Sequence, residues 1–254
     1  MTSLFTDGYK RACRVAGIAA MAVVFTSPVL AQGAFSEAQK KEMKALVREY
    51  ILENPEIISE AVALLQDKEE KAKAAGVVAA ITKNKAALFN PPEGTVLGNP
   101  KGDVTLVEFF DYNCGYCKSL FPSLLETIKA DGQVKLVLKE FPILGPSSIV
   151  ASKAALASVK QNKYSEFHIA LIGHKGALTE DSIMKVAKDV GLDVDRLQKD
   201  MKGDDIQKTI QRNEDLGKAL QVNGTPAIVI GNTFVPGAIS KDELKKLITE
   251  ARKS

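Results

Sequence analysis

Cysteine is scarce in this chain, three residues in 254, histidine is scarcer still at two, and tryptophan is absent. With 34 basic and 31 acidic residues the net charge is only +3, so neither nucleic acid nor an anionic membrane surface is indicated as a partner. An apolar run from Val15 to Phe25 ends at Ser27-Pro28 and falls short of the ~20 residues a spanning helix needs, which argues against a stable membrane anchor. Scarce thiols and imidazoles also weigh against zinc. His168 and His174 stand about fifty residues from Cys117, whereas zinc-finger spacing leaves roughly 12–15 between the cysteine and histidine pairs. No internal repeat or low-complexity tract is evident.

What is present begins with the features of an export signal. Lys10, Arg11 and Arg14 precede the apolar run, and Val29-Leu30-Ala31 follows with the small residues that a signal peptidase accepts. Residues 1–31 therefore read as a signal peptide cleaved near Ala31, and Cys13 leaves with it. Cleavage reduces the charged residues to 31 basic and 30 acidic, a net charge of +1. Export places the chain in the periplasm or its equivalent, an oxidising compartment where a reactive dithiol has a use.

The two remaining cysteines form one motif, Cys114-Gly115-Tyr116-Cys117. Val104 to Phe110 is β-branched and aromatic and reads as a buried strand, while Lys118 to Ile128 has helical spacing. The pair thus lies at a strand-to-helix junction, where Cys114 faces unpaired N–H groups and the positive end of the helix dipole, which favour a thiolate. Cys114 is expected to be the attacking nucleophile and Cys117, one turn further in, the resolving thiol. Gly115 lets a substrate backbone approach, and Tyr116 offers an apolar contact. No positive residue sits between the cysteines, which argues for a mild couple on a scale where about 30 mV equals roughly 1.4 kcal/mol. A structural disulfide is disfavoured because so short a loop constrains the unfolded chain very little.

Three zones succeed one another in the mature chain. Residues 32–92 are helical and charge-rich, with Met43, Leu46, Val47, Tyr50 and Ile51 at i, i+3, i+4 spacing, and Ile58, Ala61, Val62 and Leu65 continuing an apolar stripe beyond Asn54-Pro55. Val77, Val78, Ile81 and Leu88 resume it before Pro91-Pro92. This zone is too narrow to bury its own stripe, so it either packs back on the rest or pairs with copies of itself; self-association through residues 35–89 is the expectation. Residues 93–254 form the second and third zones. A strand near Thr95–Leu97, the Val104 strand, the Cys114 helix and a strand at Gln133–Lys139 make a β-α-β unit that implies a parallel sheet. Five helical stretches between about 147 and 220 form an insertion. Ala227–Ile230 and Thr233–Val235, split by Gly231-Asn232, read as a hairpin, and Ser240 caps a closing helix.

The order strand, C-x-x-C, strand, helical insertion, Gly224-Thr225-Pro226, hairpin and helix resembles the DsbA/DsbC class of thioredoxin-fold thiol:disulfide oxidoreductases. The resemblance covers about residues 95–254 and rests on Glu108 to Cys114, on Cys114–Cys117 with Lys118 and Pro122, on the insertion and on Thr225-Pro226. It implies an α/β thioredoxin fold with a helical insertion, preceded by a helical stalk. It further implies that Pro226 is cis and lies opposite the cysteines, that Thr225 and Pro226 face substrate, and that no cofactor is needed beyond the redox-active Cys114–Cys117 pair. Glu108 would lie beneath the motif as a proton shuttle, with Lys139 on the neighbouring strand as its partner. Pro122 reads as a helix kink.

Gly-Tyr between the cysteines, with Thr before Pro226, is similar to the isomerases of the DsbC type rather than to strong oxidases. The helical N-terminal zone is instead similar to the ScsC and Com1-like exported group, in which such a stalk assembles trimers. Together these resemblances imply a periplasmic disulfide isomerase or reductase, working on unfolded or misoxidised exported proteins as a homotrimer or other homo-oligomer and kept reduced by a membrane thiol electron-transfer partner. Two other readings stay open: a DsbA-like dithiol oxidase, and a holdase-type chaperone whose redox activity is secondary.

Overall fold

A computed structural model describes residues 35–91 and 94–253, so the proposed signal peptide lies outside the described residues. The chain divides into two compact units, one ending at Ala61 and one running from Val62.

In the first unit, helix α1 (Glu37–Glu53) starts at a reciprocal cap. Gln39 N–H donates to Ser36 Oγ at 3.3 Å, and Gln39 Oε1 accepts from Ser36 N–H at 3.0 Å, which satisfies two of the donors that every helix start leaves open. Asn54-Pro55 ends it, because proline disfavours helical geometry in the residue before it. Helix α2 (Glu56–Lys83) begins at once. No residue of α1 is buried. Met43, Leu46, Val47 and Tyr50 are exposed, as are Ile58, Val62 and Leu65 along α2.

The second unit is built on a five-stranded sheet. Its strands are β1 (Val96–Gly98), β2 (Val104–Phe110), β3 (Val134–Glu140), β4 (Ala227–Ile230) and β5 (Thr233–Pro236), in the spatial order β1-β3-β2-β4-β5. The short helix α3 (Lys85–Phe89) precedes β1. β2 and β3 are parallel, joined by helix α4 (Gly115–Asp131), and the other three pairings are antiparallel. The expected parallel sheet is therefore mixed: β2 and β3 are linked by a helical crossover, whereas β4 and β5 are joined by a hairpin that turns at Gly231 with φ +56°. Helices α5 (Pro146–Ser158), α6 (Tyr164–Ile172), α7 (Glu180–Asp189), α8 (Val194–Asp200) and α9 (Asp204–Ala219) lie between β3 and β4, and α10 (Lys241–Ala251) closes the chain.

Alternation along the strands gives the sheet two apolar faces. Leu106, Phe110, Leu136, Leu138, Ile228 and Ile230 share a core with Leu120, Leu124 and Ile128 of α4 and with the helical insertion. Val107, Phe109, Val137 and Val229 share the other with Phe141 and with Leu216 and Leu220 at the end of α9 and just beyond it. Val77 and Ile81 of α2, and Leu88 of α3, belong to this second core. That finding corrects the division at residue 92, since the last two turns of α2 and all of α3 complete the sheet's second face. Burying side chains of this size stabilises by roughly 1.5–3 kcal/mol each, which decides where they go.

The same alternation overturns one pairing. Glu108 lies beside Leu138, with its side chain on the α4 face, while Lys139 is in register with Phe109 and faces the second core. Lys139 Nζ donates to Ala87 O at 2.8 Å and Lys135 Nζ to Phe89 O at 2.8 Å, so both lysines serve carbonyls of α3. Carbonyls at a helix end lack intrahelical donors, and a cation meets that need. Lys139 is therefore a docking contact for α3 across the sheet from Glu108, and not its partner. The expected architecture is otherwise the one observed: an α/β thioredoxin fold with a helical insertion and a helical N-terminal region.

Candidate active site

Strand β2 ends at Phe110, and a turn through Asp111 to Asn113 delivers Cys114 to the start of α4. Cys114 is the N-cap of that helix in extended geometry, φ −74° and ψ 115°. Its sulfur takes the place usually held by a serine or aspartate oxygen and accepts from Cys117 N–H at 3.3 Å. The Cys114 thiol also lies 3.1 Å from Thr225 O, to which it donates. The Thr225–Pro226 peptide is cis and Pro226 is buried. Residues 111 positions apart in the chain thus meet at one sulfur. Both thiols are free.

The two cysteines have unlike surroundings. Cys114 is 5% exposed, but Gly115 and Tyr116 beside it are open to solvent, and a Cβ added to Gly115 would meet nothing within 4 Å. Cys117 is buried among apolar side chains, and burial, reinforced by the nearby Glu108 charge, pushes its thiol well above the ordinary range. Glu108, buried on β2, is itself pushed up to about 8 by loss of water. Two groups that hold their protons at neutral pH therefore interact beneath α4. Pro122 sits inside that helix as expected, and Lys118 Nζ ties it to the α6–α7 loop by donating to His174 O at 3.0 Å.

Of the residues singled out by sequence, the fold assembles Cys114, Gly115, Tyr116, Cys117, Glu108, Thr225 and Pro226 around one helix start. Lys139 does not join them. His168 is buried, stacked on Tyr164 and met edge-on by Phe110 and Phe121, with Nδ1 2.9 Å from Tyr112 OH. Burial pushes its imidazole down to about 3, so it is neutral.

Two further groups escaped sequence reasoning. Tyr112, fully buried two residues before Cys114, donates to Glu140 Oε1 at 3.1 Å, and Tyr164 donates to the same oxygen at 3.0 Å. Burial raises Glu140 to about 8. The second is Asp111, whose two oxygens accept from Asn113 N–H, Ser148 Oγ–H and the N–H groups of Ile143 and Leu144. The available signal was a charged residue inside an otherwise apolar and aromatic strand end, Phe110-Asp111-Tyr112.

A dithiol at a helix start, faced by a cis-proline loop on a five-stranded mixed sheet, defines a thioredoxin-fold protein equipped for thiol–disulfide exchange. Comparison with known proteins narrows this class. The DSBA-like thioredoxin domain matches residues 105–249, and the chain belongs to that family of thiol:disulfide oxidoreductases. Residues 39–72 match the N-terminal domain of the copper resistance protein ScsC. A thioredoxin-like oxidoreductase from Silicibacter pomeroyi is 43% identical, with a TM-score of 0.66 over 67% of this chain and 99% of that one. A linker-deleted variant of Proteus mirabilis ScsC is 33% identical, with a TM-score of 0.66 over 87% of this chain and 98% of that one. A probable disulfide bond formation protein D from Bacillus cereus is 29% identical over 62% of this chain and 78% of its own length. Likeness also extends to a Na(+)/H(+) antiporter NhaA 1 of Salinispora arenicola, 27% identical over 64% of this chain, but the chain spans only 25% of that protein's length. Among the described residues no helix is long and apolar enough to cross a membrane.

Proposed function

We propose that the chain catalyses thiol–disulfide exchange on exported proteins in the periplasm, resting as a dithiol and acting as a disulfide isomerase or reductase. The observation that carries this reading is the Cys114 sulfur, held between Cys117 N–H and Thr225 O at a helix N-terminus. As a thiolate it attacks one sulfur of a substrate disulfide; a mixed disulfide forms, the substrate S–S bond breaks, and the other substrate sulfur leaves as thiolate. In isomerisation a different thiolate of the same substrate attacks the substrate sulfur of the mixed disulfide, forming a new substrate S–S bond as the bond to Cys114 breaks and Cys114 leaves as thiolate. In reduction Cys117 attacks Cys114 instead, so the substrate gains two electrons and the dithiol becomes a disulfide. Cys117 must first lose its proton, and Glu108, the buried carboxyl that interacts with it, takes that proton in its ionised form, after giving up its own as pH rises through about 8. Gly115, Tyr116, Thr225 and Pro226 form the substrate-facing wall. No cofactor is required beyond the cysteine pair. A membrane thiol electron-transfer partner returns the oxidised form to the dithiol.

Residues 37–65 supply the assembly. Most of their large apolar side chains are exposed, and the ScsC N-terminal match covers most of this stretch, which supports pairing with further copies of this chain, as a homotrimer. This reading narrows the interface from the expected 35–89, because Val77, Ile81 and Leu88 already pack against the sheet. Several active sites around one substrate raise the effective concentration for the second attack that isomerisation requires.

The test is refolding of a scrambled-disulfide substrate by the full mature chain, beside its mass in solution. Isomerisation by an oligomer is the expected result. Rapid oxidation of a reduced substrate without isomerisation would favour a dithiol oxidase, the reading that kinship with a disulfide bond formation protein supports.

A further inference from the structure

Glu140, the last residue of β3, is a fully buried acid that the exchange steps leave unused. Tyr112 OH donates to its Oε1 at 3.1 Å and Tyr164 OH donates to the same oxygen at 3.0 Å. Two donors on one oxygen and none on the other is the pattern of a protonated carboxyl, with the proton on Oε2. Ser152 Oγ of α5 is the hydroxyl that acts on that side of the group; both atoms are buried and neither makes a hydrogen bond of regular geometry. Tyr112 spends its one proton on Glu140, so His168 Nδ1, 2.9 Å from the same hydroxyl, carries the hydrogen that donates to it. Asn213 of α9 holds the backbone, its Nδ2 donating to Glu140 O at 3.1 Å.

Three parts of the chain meet at this acid: β3, the helical insertion through Tyr164 at the start of α6, and the turn that carries Cys114 through Tyr112. Tyr112 precedes Cys114 by two residues, which keeps their Cα atoms within ~7 Å of each other. Cys114 N–H closes the turn by donating to Asp111 O at 3.0 Å. The ring of Phe110 stands edge-on to those of Tyr112 and His168, at centroid distances of 5.0 and 4.8 Å, and keeps the Tyr112 ring in place. Polar side chains inside an apolar core seldom outdo hydrocarbon of the same shape in stability; what a satisfied network supplies is one arrangement instead of several. The arrangement supplied here is that of the turn presenting the Cys114 sulfur to Cys117 N–H and Thr225 O.

We propose that Glu140 is a positioning residue for Cys114: as a neutral acid it draws Tyr112 of the turn and Tyr164 of α6 onto one oxygen, and attack by Cys114 slows when that acid ionises. The inference deepens the thiol-exchange reading and rests on it. The groups around Glu140 are Asp111 and Tyr112 from the turn, Tyr164 from α6 with His168 behind Tyr112, and Ser152 from α5, while Glu108 of β2 acts on Tyr164. None of these is a cation, since burial keeps His168 neutral. Burial, with the Asp111 charge adding to it, raises the Glu140 carboxyl to about 8 against the pull of three hydroxyls. Above that pH a buried anion without a counter-ion recruits water, and water at Oε1 replaces Tyr112 as donor, which frees the turn. Glutamine reproduces the neutral acid: its carbonyl oxygen accepts from both tyrosines and its NH₂ stands where Oε2–H faces Ser152.

The experiment follows the full mature chain in its dithiol form reacting with limiting glutathione disulfide between pH 6 and 9.5, beside urea unfolding of each variant. Cys114 attacks as thiolate, a mixed disulfide forms and one glutathione leaves as thiolate; Cys117 then attacks Cys114, releasing the second glutathione thiolate as the protein disulfide closes. At limiting disulfide the first attack sets the rate, so the resolving step and Glu108 stay out of it. At pH 6 Glu140→Gln should match the wild type, while Glu140→Leu should be about tenfold slower, short of the ~10²-fold that a 1 Å misplacement costs. Tyr112→Phe, which keeps the ring and loses only the hydroxyl, should slow attack by a similar factor and keeps the test open if Glu140→Leu fails to fold. With Tyr112→Phe and Glu140→Leu combined, the loss should be no greater than for either alone, because the two act as a unit. As pH rises through about 8, the rate of Glu140→Gln relative to the wild type should climb from one toward tenfold. Wild-type attack rates in Glu140→Leu and Tyr112→Phe, with only their unfolding free energies lowered, would overturn the proposal and leave Glu140 a structural group. A Glu140→Gln variant as slow as Glu140→Leu at pH 6, or a ratio that stays at one across the whole range, would overturn the neutral acid while thiol exchange stands. Failure of the wild-type chain to react at any pH would overturn the underlying reading, and the positioning role with it.

Discussion

Helices α1 and α4 are both 17 residues long, both capped by a side chain at the N-terminus, and both carry an apolar stripe, yet α1 buries no residue and α4 buries six. Propensity and capping make the two helices alike. What differs is the neighbourhood: Leu120, Leu124 and Ile128 meet a sheet whose facing positions are largely apolar, while Met43, Leu46, Val47 and Tyr50 remain exposed. An apolar stripe is a demand for a partner, and only tertiary structure shows whether the chain itself supplies one.

The sharpest way to press the comparison is through function. Cys114→Ser, at the head of α4, should reduce insulin-disulfide reduction by about 10³-fold or more, the scale on which losing a nucleophile acts. Tyr50→Ala in α1 should leave the same assay on a small disulfide unchanged.

Packing should separate the helices next. Leu124→Ala, at a fully buried position, should cost about 2–5 kcal/mol by urea unfolding. Leu46→Ala should stay within about 0.5 kcal/mol in the isolated protomer, as exposed sites do. A cost of several kcal/mol at Leu46 under dilute conditions would mean that its stripe is covered already.

Beneath α4 lies a buried acid that α1 lacks. Glu108 titrates at about 8 in the folded protein, against an ordinary 4.5. A raised value means that the folded state holds the proton more tightly, so this contribution to stability is complete below pH ~4.5 and is lost as pH rises through about 8. Glu108→Gln removes the loss. Its unfolding free energy should gain on the wild type between pH 5 and 9, by on the order of a few kcal/mol, and then level off. Resolution of the mixed disulfide should meanwhile lose its inflection near pH 8. A stability difference independent of pH would show that Glu108 is not the titrating group.

The smallest effect expected is on assembly. Leu46→Glu with Val47→Glu should lower the mass in solution to that of a protomer and slow isomerisation by about tenfold through lost effective concentration. An unchanged mass would move the interface away from α1.

Much of this molecule is legible from its residues, for reasons that differ by element. The β2 and β3 strands and the α4 start are strongly patterned and punctuated by Gly132 and Cys114, and their observed bounds fall within a few residues of the expected ones. The Glu108–Lys139 pairing failed because it assumed a register. A single-residue offset between neighbouring strands moves a side chain to the opposite face, and register is set by the whole sheet. Residues 77–89 look continuous with the stalk because their spacing continues its stripe, and spacing does not say which surface a stripe meets. Asp111 is visible as a charge in an apolar stretch, but three of its four donors belong to residues 32 to 37 positions further along, which only the fold brings near.

By itself the sequence determined the local chemistry: two cysteines one helical turn apart, a proline able to adopt a cis bond, caps at the helix ends, and a helical periodicity that asks for burial. Those properties depend on neighbours within a few positions and are written in the order of residues. Tertiary structure decided which distant groups share a dielectric and a hydrogen bond. It put Thr225 O against the Cys114 sulfur, Glu108 under Cys117, and Lys139 on the far side of the sheet. Electrostatic shifts and mutual orientation fall off over a few ångströms in space, not along the chain, so they exist only once the fold has brought the groups together.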